Sequence, residues 1–326
     1  MISGKLLRSL RPRWFGIGAI GLLLVWTAGD WMHSRKVAEE LADWERTVRR
    51  DADGIAIGAE AYTVGEGPTA VLLVHGINSS PDIWKRVAPK LADAGMTVRA
   101  MRLPGFATPI EQYASARKED WLAAVDEEIR SLRQSHASVT IMGHSLGGAI
   151  SLAYVLDHPG AVDALVLLAP AVEVSDERSP VLPVRWWHEF GKRTLLFSWN
   201  THSPFEADCL DPEGRDHAGQ TPFTPVAVAD QTFQLIDHNR GRASEVKTPL
   251  LLFLSRGDQA IDWRAAAEFF DQVPGNRNRL VFLENSGHVI PLDYDWPIVA
   301  DAVTEFLRDL PEAETPGVDD QGPPTR

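Results

Sequence analysis

Six short apolar runs alternate with helical patterns from residue 71 onward, and this alternation constrains the fold more than any other feature. Most runs are continuous and lack the polar–apolar alternation of a half-exposed strand. Such runs are typical of strands that helices cover on both faces of a parallel sheet. The predicted strands cover residues 71–75, 97–101, 139–142, 164–168, 250–254 and 280–283. The pattern therefore predicts an α/β fold with a mostly parallel, doubly wound sheet.

The intervening segments supply the helices of this fold. Helical patterns are predicted near residues 80–94, 118–134, 146–157, 262–273 and 296–310. Two further short runs, 55–57 and 61–63, are predicted as antiparallel edge strands. A chain of 326 residues is long enough for one large α/β domain or two small ones.

The strand–helix alternation is interrupted once. Between the predicted strands 164–168 and 250–254, no strand is predicted over roughly eighty residues. Such a stretch is too long for a loop within a compact domain. We therefore expect a cap over residues 171–248, inserted between a first core part, 54–170, and a second, 249–310. Its aromatic residues are expected to pack within the cap, and a few to line an apolar pocket. They are Trp186, Trp187, Phe190, Phe197, Trp199, Phe205, Phe223 and Phe233.

The N-terminal segment, residues 1–36, is basic and apolar. Sixteen uncharged residues run from Trp14 to Gly29, and counting on to Met32 gives nineteen positions that include Asp30. A bilayer span needs roughly 20 largely apolar residues, and the preceding basic residues favour a cytoplasmic N terminus. We expect an uncleaved membrane anchor, with the catalytic domain on the outer (periplasmic or extracytoplasmic) side. A cleaved signal peptide, which would give a secreted protein, and a helix of a soluble protein remain alternatives.

Two further segments complete the organisation of the chain. In residues 37–53, Val37, Leu41, Trp44 and Val48 form one apolar stripe on an otherwise charged helix. This amphipathic stem helix is expected to lie on the domain surface, and the alternative is a stem that holds the domain close to a membrane. The acidic, Pro- and Gly-rich tail, residues 311–326, is predicted to be disordered.

Charge and cysteine content exclude several classes of partner. The formal net charge is −13, although residues 1–36 carry six basic residues and one acidic residue. Nucleic-acid binding needs clustered Lys and Arg, so an acidic body argues against it. The single cysteine, Cys209, excludes a disulfide framework and a cysteine-based zinc site. The cap histidines lack tight metal-ligand spacing, and no metal or cofactor is expected.

The segment GHSLGG, residues 143–148, places Ser145 between Gly143 and Gly147. A predicted strand precedes it and a predicted helix follows, which is the context of a nucleophile elbow. The glycines leave room for a strained serine whose hydroxyl lies at the carboxyl edge of the sheet. The amide N–H of Leu146 is a candidate donor to an oxyanion.

A serine hydroxyl needs a base to become a nucleophile, and the base needs an acid to orient it. In this type of fold the order is Ser, then Asp or Glu, then His. Asp258 and His288 each lie just past a predicted strand, in that order, after Ser145. Asp262 follows the same strand as Asp258 but precedes a helical pattern, and we interpret it as a helix N-cap.

The loop after the first central strand should provide a second oxyanion donor. His75 and Gly76 end the apolar run LLVHG, so the candidate donor is the amide N–H of Ile77. His75 is expected to order this loop, and His144 to pack within the elbow, rather than to transfer protons.

Together LLVHG, GHSLGG, SRGDQAID and NSGHVIPLD resemble the α/β-hydrolase superfamily, and most of all its carboxylesterase and monoacylglycerol lipase branch. The resemblance covers roughly residues 68–310. It implies a catalytic triad of Ser145, Asp258 and His288. It also implies an oxyanion hole formed by the backbone amides of Ile77 and Leu146. The segment LPGF, residues 103–106, departs from the Gly-His-Gly of many relatives. That loop borders the site, so substrate preference is expected to differ.

The sequence thus predicts a membrane-tethered serine esterase. The aromatic cap favours an acyl chain of some length, such as that of a monoacylglycerol or a medium-chain ester. A peptidase, thioesterase, acyltransferase or carbon–carbon hydrolase acting through the same triad stays open, because a fold does not settle the reaction. The complete triad argues against a catalytically silent, membrane-anchored binding protein.

Overall fold

A seven-stranded sheet organises the chain, as seen in a computed structural model that describes residues 4–179, 181–203 and 205–310, with side chains from residue 18 onward. The strands in this part of the chain are Tyr62–Val64 (β1), Thr69–Val74 (β2), Met96–Met101 (β3), Ser138–His144 (β4), Ala164–Leu168 (β5), Asn200–His202 (β6), Phe223–Pro225 (β7), Leu250–Ser255 (β8) and Arg279–Leu283 (β9). The sheet order is β1-β3-β2-β4-β5-β8-β9, with β1 antiparallel to β3 and all other neighbours parallel. The predicted doubly wound, mostly parallel sheet is confirmed.

Helices cover both faces of this sheet. They are Gly4–Thr47 (α1), Val87–Asp93 (α2), Ile110–Ser115 (α3), Lys118–Arg133 (α4), Leu146–Asp157 (α5), Val184–Thr194 (α6), Val226–Asn239 (α7), Trp263–Asp271 (α8) and Trp296–Arg308 (α9). In β2, Leu72 and Val74 join the apolar cluster that contains α4, α5 and α8, whereas Val71 and Leu73 join the cluster with α2 and α9. Burial on both faces explains why the strand runs are continuously apolar.

Near the first strands the structure differs from the sequence-based expectation in two places. Residues 55–57 do not form a sheet strand, because Ala56 makes only an isolated bridge to Arg50. The predicted helix at 80–94 is a 3₁₀ turn, Pro81–Trp84, followed by α2. Ser80 caps that turn by accepting a hydrogen bond from the Asp82 amide. The other predicted edge strand, 61–63, is present one residue further on as β1.

Between the parallel neighbours β5 and β8 the chain leaves the sheet and forms α6, β6, β7 and α7. The expectation that this region contains no strand is wrong, because β6 and β7 pair as a small antiparallel sheet. Each has three residues, too few to display a periodic apolar pattern. We refer to the residues between β5 and β8 as the cap.

The helix α1 is continuous across the predicted boundary between residues 36 and 37, and it ends at Thr47, six residues before the predicted end of the stem helix. Val37 and Leu41 of the predicted stripe are buried in the core. Among the described residues, no helix combines the length and hydrophobicity needed to cross a membrane. The predicted tail, residues 311–326, lies outside the described part of the chain.

Candidate active site

Ser145 occupies the turn between β4 and α5 in a left-handed backbone conformation, with φ 54° and ψ −117°. That conformation is unfavourable for a residue with a side chain and persists only where surrounding contacts enforce it. Here the Ser145 amide donates to the Leu168 carbonyl at 3.0 Å, and its carbonyl accepts from the Ala149 amide at 3.1 Å. The neighbouring strand and the new helix therefore hold the serine in its strained geometry.

The flanking glycines are required by space. A Cβ on Gly143 would lie 2.4 Å from the carbonyl oxygen of Gly147, and a Cβ on Gly147 would lie 2.2 Å from that of Val74. Both distances are far inside van der Waals contact. The first turn of α5 can therefore pack against the ends of β2 and β4 only without side chains at these positions.

The structure brings together the three residues predicted as a triad. Nε2 of His288 lies 2.9 Å from Oγ of Ser145, and Nδ1 of His288 lies 2.8 Å from Oδ2 of Asp258. Asp258 follows β8 and His288 follows β9, so both loops lie at the carboxyl edge of the sheet beside the elbow. All three side chains are buried. The hydroxyl, imidazole and carboxylate thus form one hydrogen-bonded line.

The carboxylate of Asp258 is held by the backbone as well as by the imidazole. Its Oδ1 accepts hydrogen bonds from the amides of Ala260 and Ile261, each at 2.8 Å. Burial disfavours the charged form, but His288 and these amides outweigh it and hold the pKa of Asp258 below its usual value. Asp262 instead caps α8 by accepting from the Arg264 amide, as an N-cap does.

The pKa of His288 is raised above its ordinary value of 6.5. Burial opposes the imidazolium, but the adjacent carboxylate of Asp258 stabilises it more strongly. The His288 imidazole can therefore carry a proton while its bond to Asp258 keeps it in one orientation. Because Nδ1 donates to Asp258, the neutral ring presents an unprotonated Nε2 to Ser145.

His144, the residue before Ser145, contacts the main chain of His288. Nε2 of His144 lies 2.9 Å from the carbonyl oxygen of His288, so this nitrogen carries a hydrogen and donates it. Burial, together with the charge of His288, lowers the pKa of His144 to about 3. His144 is neutral at ordinary pH and holds the main chain of His288.

The loop after β2 is ordered by His75. The amide of Leu103 donates to Nε2 of His75 at 3.1 Å, which leaves the hydrogen on Nδ1, and Nδ1 donates to the carbonyl of Gly76 at 3.0 Å. Burial lowers the pKa of His75 to about 3 and keeps the ring neutral. Since the C=O and N–H of a trans peptide point in opposite directions, fixing the Gly76 carbonyl also fixes the Ile77 amide.

Two amides are available where an oxyanion would form. Within the described residues, neither the Ile77 nor the Leu146 N–H donates to a protein acceptor. Ile77 lines the same cavity as Ser145, and Leu146 is the first residue of α5. Backbone donors at a helix N terminus can stabilise negative charge on a substrate oxygen.

Contacts distant in sequence fix the rest of this loop, and sequence reasoning missed them. The Tyr113 hydroxyl accepts from the Asn78 amide at 3.1 Å and donates to Oδ1 of Asn78 at 2.9 Å. Ser79 Oγ lies 2.8 Å from Nε2 of His217 in the cap. No short-range pattern links positions so far apart, although the left-handed φ of 56° at Asn78 marks a constrained loop.

A cavity of about 780 Å³ opens onto Ser145 and His288. Its apolar lining includes Trp44 of α1 and Phe205 of the cap, and its charged lining includes five side chains. These are Arg178, Arg215, Glu206, Asp208 and Asp216. The cavity is therefore mixed in character, with room for an acyl group and for a polar leaving group.

The expectation that a few cap aromatics line an apolar pocket is met by one residue. Of the eight, only Phe205 lines this cavity. Phe223 is buried against Trp44, with ring centroids 5.8 Å apart, and Phe233 packs under the Arg185 guanidinium. The aromatic residues of α6 face solvent or α1 instead.

One group of side chains has the spacing to hold a metal ion within the described residues. It consists of His188 and Glu189 of α6 with Asp230 of α7, whose donor atoms lie within 4.8 Å of one another. The ammonium of Lys192 lies 2.5 Å from Asp230 and 3.6 Å from Glu189. These carboxylates already neutralise a cation, so the group behaves as an ion-pair network between α6 and α7.

The strand order, the serine elbow and the histidine that follows the last strand define an α/β hydrolase. The chain belongs to the serine aminopeptidase S33 family (Hydrolase_4), which matches residues 66–295.

Similar proteins share most of this region. A thermostable monoacylglycerol lipase from Bacillus sp. (strain H-257) is 28% identical over 254 residues, which are 77% of this chain and 94% of the relative. A carboxylesterase from Bacillus subtilis (strain 168) is 25% identical over 76% of this chain and 96% of its own length. The crystal structure of Paleococcus ferrophilus monoacylglycerol lipase covers 76% of this chain and 97% of its own, with a TM-score of 0.65 at 19% identity, which shows the shared fold. The chain is a hydrolase of the lipase and esterase family.

Proposed function

We propose that this chain is a serine carboxylesterase of the monoacylglycerol lipase type, which hydrolyses carboxylic esters through an acyl-enzyme on Ser145. The observation that carries the proposal is the hydrogen-bonded line from Ser145 through His288 to Asp258, beside the free amides of Ile77 and Leu146. The similarity to proteins named monoacylglycerol lipase and carboxylesterase supports the same reaction.

In the first half-reaction Oγ of Ser145 attacks the ester carbonyl carbon while Nε2 of His288 takes the hydroxyl proton. The Ile77 and Leu146 amides stabilise the oxyanion that forms, and Asp258 stabilises the imidazolium. When the tetrahedral intermediate collapses, the bond to the alcohol oxygen breaks and His288 gives its proton to that oxygen. The alcohol leaves and the acyl group remains on Ser145.

In the second half-reaction water takes the place of the alcohol. Nε2 of His288 removes a proton from the water as its oxygen attacks the acyl carbonyl carbon. The same two amides stabilise the second oxyanion. Collapse releases the carboxylic acid, and the proton on His288 returns to Oγ of Ser145.

The cavity supports an ester with an apolar acyl group and a polar alcohol. Trp44, Ile83 and Phe205 offer apolar surface, while Asn78 and Asp208 lie among the polar lining. A monoacylglycerol or a medium-chain acyl ester has this division between an apolar and a polar part.

A chain-length series of p-nitrophenyl esters tests the proposal directly. We expect medium-chain esters to be preferred and Ser145→Ala to lower kcat by about 10⁵-fold or more. Ser131→Ala, an exposed serine on α4, is the matched control and should retain full activity. Unchanged ester hydrolysis in the Ser145→Ala variant would end the assignment of the nucleophile.

Peptide hydrolysis is the second candidate. The family description, serine aminopeptidase, favours it. So does the Asp216 carboxylate in the cavity, since an aminopeptidase must bind an α-ammonium group, whereas Glu206 and Asp208 already pair with Arg215 and Arg178. Aminoacyl p-nitroanilides assayed beside the esters separate the two. Ser145-dependent turnover of the anilides, with no turnover of any ester, would move the function to a peptidase.

The location of the enzyme is proposed from the sequence. We propose that residues 1–36 keep it at a membrane with the catalytic domain on the outer side. Intact-mass analysis of the protein from membrane fractions tests this proposal. Recovery of a chain that lacks the first thirty residues would instead support a cleaved signal.

A further inference from the structure

Exposed apolar side chains are concentrated on one part of the molecule. Of the twenty large apolar side chains that are exposed in the described part of the chain, seventeen belong to α1 or the cap. Only Ile57, Tyr294 and Ile298 lie elsewhere. Scattered exposed residues need no explanation, but a large contiguous apolar patch marks a surface that contacts something other than water.

The α1 and cap residues of this patch are in direct contact. The ring of Trp26 packs edge-on against Phe190 of α6, with centroids 5.6 Å apart. Nε1 of Trp26 donates to the carbonyl of Thr194 at 3.1 Å, where α6 ends. A partner that contacts the exposed residues just before Trp26 would therefore also lie close to α6.

A buried carboxylate fixes this junction. Asp30 of α1 accepts hydrogen bonds from the Leu196 amide at 2.6 Å, the Phe197 amide at 3.0 Å and the Ser198 hydroxyl at 2.6 Å. Asp30 is 5% exposed although its helix neighbours face solvent. These hydrogen bonds explain why the apolar segment contains one acidic residue. They also fix this part of the cap against α1.

An apolar groove of about 410 Å³ runs along the junction. Its apolar lining is Leu22, Val25 and Trp26 of α1 and Leu195 of the cap. Gly29, Asp30, His33 and Ser198 complete the lining. Leu22, Val25 and Trp26 are themselves exposed, so the groove is open to the surroundings. The polar atoms of Asp30 and Ser198 already bond to each other, and an acyl chain fits the apolar part of the groove.

We propose that this composite surface docks on a lipid bilayer. We define the composite surface as residues 20–26 of α1 together with five cap residues, which are Trp186, Trp187, Phe190, Leu196 and Trp199. Trp and Phe on an amphipathic surface sit at the level of the lipid headgroups, and lipid chains would occupy the groove.

The charges around the composite surface favour an anionic bilayer over a protein partner. Arg35 lies over the ring of Trp31, with 5.3 Å between its guanidinium carbon and the ring centroid. Arg193 at the end of α6 pairs with Glu189 but stays largely exposed. Lys36 of α1 is also largely exposed, whereas the chain as a whole is acidic, at −13. An anionic membrane would attract this side of the molecule and repel the rest.

Docking in this way would place the catalytic cavity close to the membrane. Trp199 of the composite surface is followed directly by β6, and Ser203 and Phe205 just beyond it line the cavity that contains Ser145. An ester could then pass from the bilayer to the serine over a short path. This inference concerns an interaction surface and goes beyond the proposed reaction.

The test uses the full chain and vesicles of phosphatidylcholine with phosphatidylglycerol. Brominated lipids should quench the fluorescence of tryptophans at the bilayer. In a Trp186→Phe, Trp187→Phe, Trp199→Phe variant we expect this quenching to fall at least twofold. A Trp187→Ser, Trp199→Ser variant should bind vesicles about tenfold more weakly, because interfacial binding scales with buried apolar area. Ile298→Ser, exposed on α9, is the matched control and should bind normally.

Two outcomes would overturn the proposal. One is quenching that is unchanged in the triple Phe variant, which would place the cap away from the bilayer even if α1 inserts. The other is dimerisation through this face, seen as a concentration-dependent mass that the Ser variant abolishes while vesicle binding is absent. Hydrolysis of a short water-soluble p-nitrophenyl ester is measured in the same samples. Its failure would remove the proposed reaction without affecting the binding result.

Discussion

Nε2 of His144 lies 2.9 Å from the main-chain oxygen of His288, so the residue beside Ser145 holds the backbone of the proposed base. The two rings are 4.9 Å apart, and Nδ1 of His144 has no partner among the described residues. The contact joins the elbow to the loop that follows β9. We therefore expect His144 to be a positioning residue whose effect on the reaction passes through His288.

Removing this donor should misplace the base. We expect His144→Leu, which keeps apolar volume but cannot donate, to lower kcat on a soluble ester by about 10²-fold, because a small displacement of a catalytic group is costly. His144→Gln can still donate and should recover part of the loss at similar KM. Equal activity of both variants and the parent would show that His288 needs no such support.

The Asp258 carboxylate should set the pH dependence of activity. His288 must be neutral to accept the Ser145 proton, and Asp258 raises the pKa of His288. We expect kcat/KM to fall as the pH drops through a value above 6.5, the ordinary histidine pKa. Asp258→Asn should shift this acidic limb to lower pH and reduce kcat by about 10⁴-fold. An unshifted limb in that variant would assign the titration to another group.

Much of the sheet and the site geometry could be anticipated because their signals are local. Strands buried on both faces produce continuous apolar runs, and the elbow needs Gly143 and Gly147 within four residues of each other. The chain order of Ser145, Asp258 and His288 follows from the strands that precede them. These features depend on short stretches, and local patterns are enough to predict them.

The insertion of the cap could be predicted, but its internal structure could not. β6 and β7 have three residues each, so neither displays a period. The exposure of Trp186 and Trp199 depends on where α6 and α1 lie, which no local pattern encodes. Asp30 contacts Leu196 across 166 positions of the chain. Side chains that meet over such distances are visible only once the fold is known.

Replacing two helix glycines by alanine should change the free energy of unfolding in opposite directions. In Gly147→Ala the new Cβ would meet the Val74 carbonyl at 2.2 Å, and we expect a loss of about 1–3 kcal/mol of unfolding free energy together with most activity. In Gly191→Ala the nearest atom is the flexible end of Leu195 at 3.4 Å. That variant should gain about 0.5–1 kcal/mol, because alanine is the better helix former. Chemical denaturation of both variants checks the contrast, which a destabilised Gly191→Ala would contradict.

The Asp30 carboxylate should hold the cap segment 196–198 against α1. Asp30→Ala leaves the amides of Leu196 and Phe197 without their acceptor, and unpaired amides open to solvent more often. We expect hydrogen exchange at these two amides to accelerate about tenfold or more, while amides of α4 keep their protection. Asp43→Ala removes an exposed carboxylate of the same helix that pairs with Arg46, and it should leave the loop unchanged. If both variants exchange at the parental rate, the loop is held by its apolar contacts rather than by Asp30.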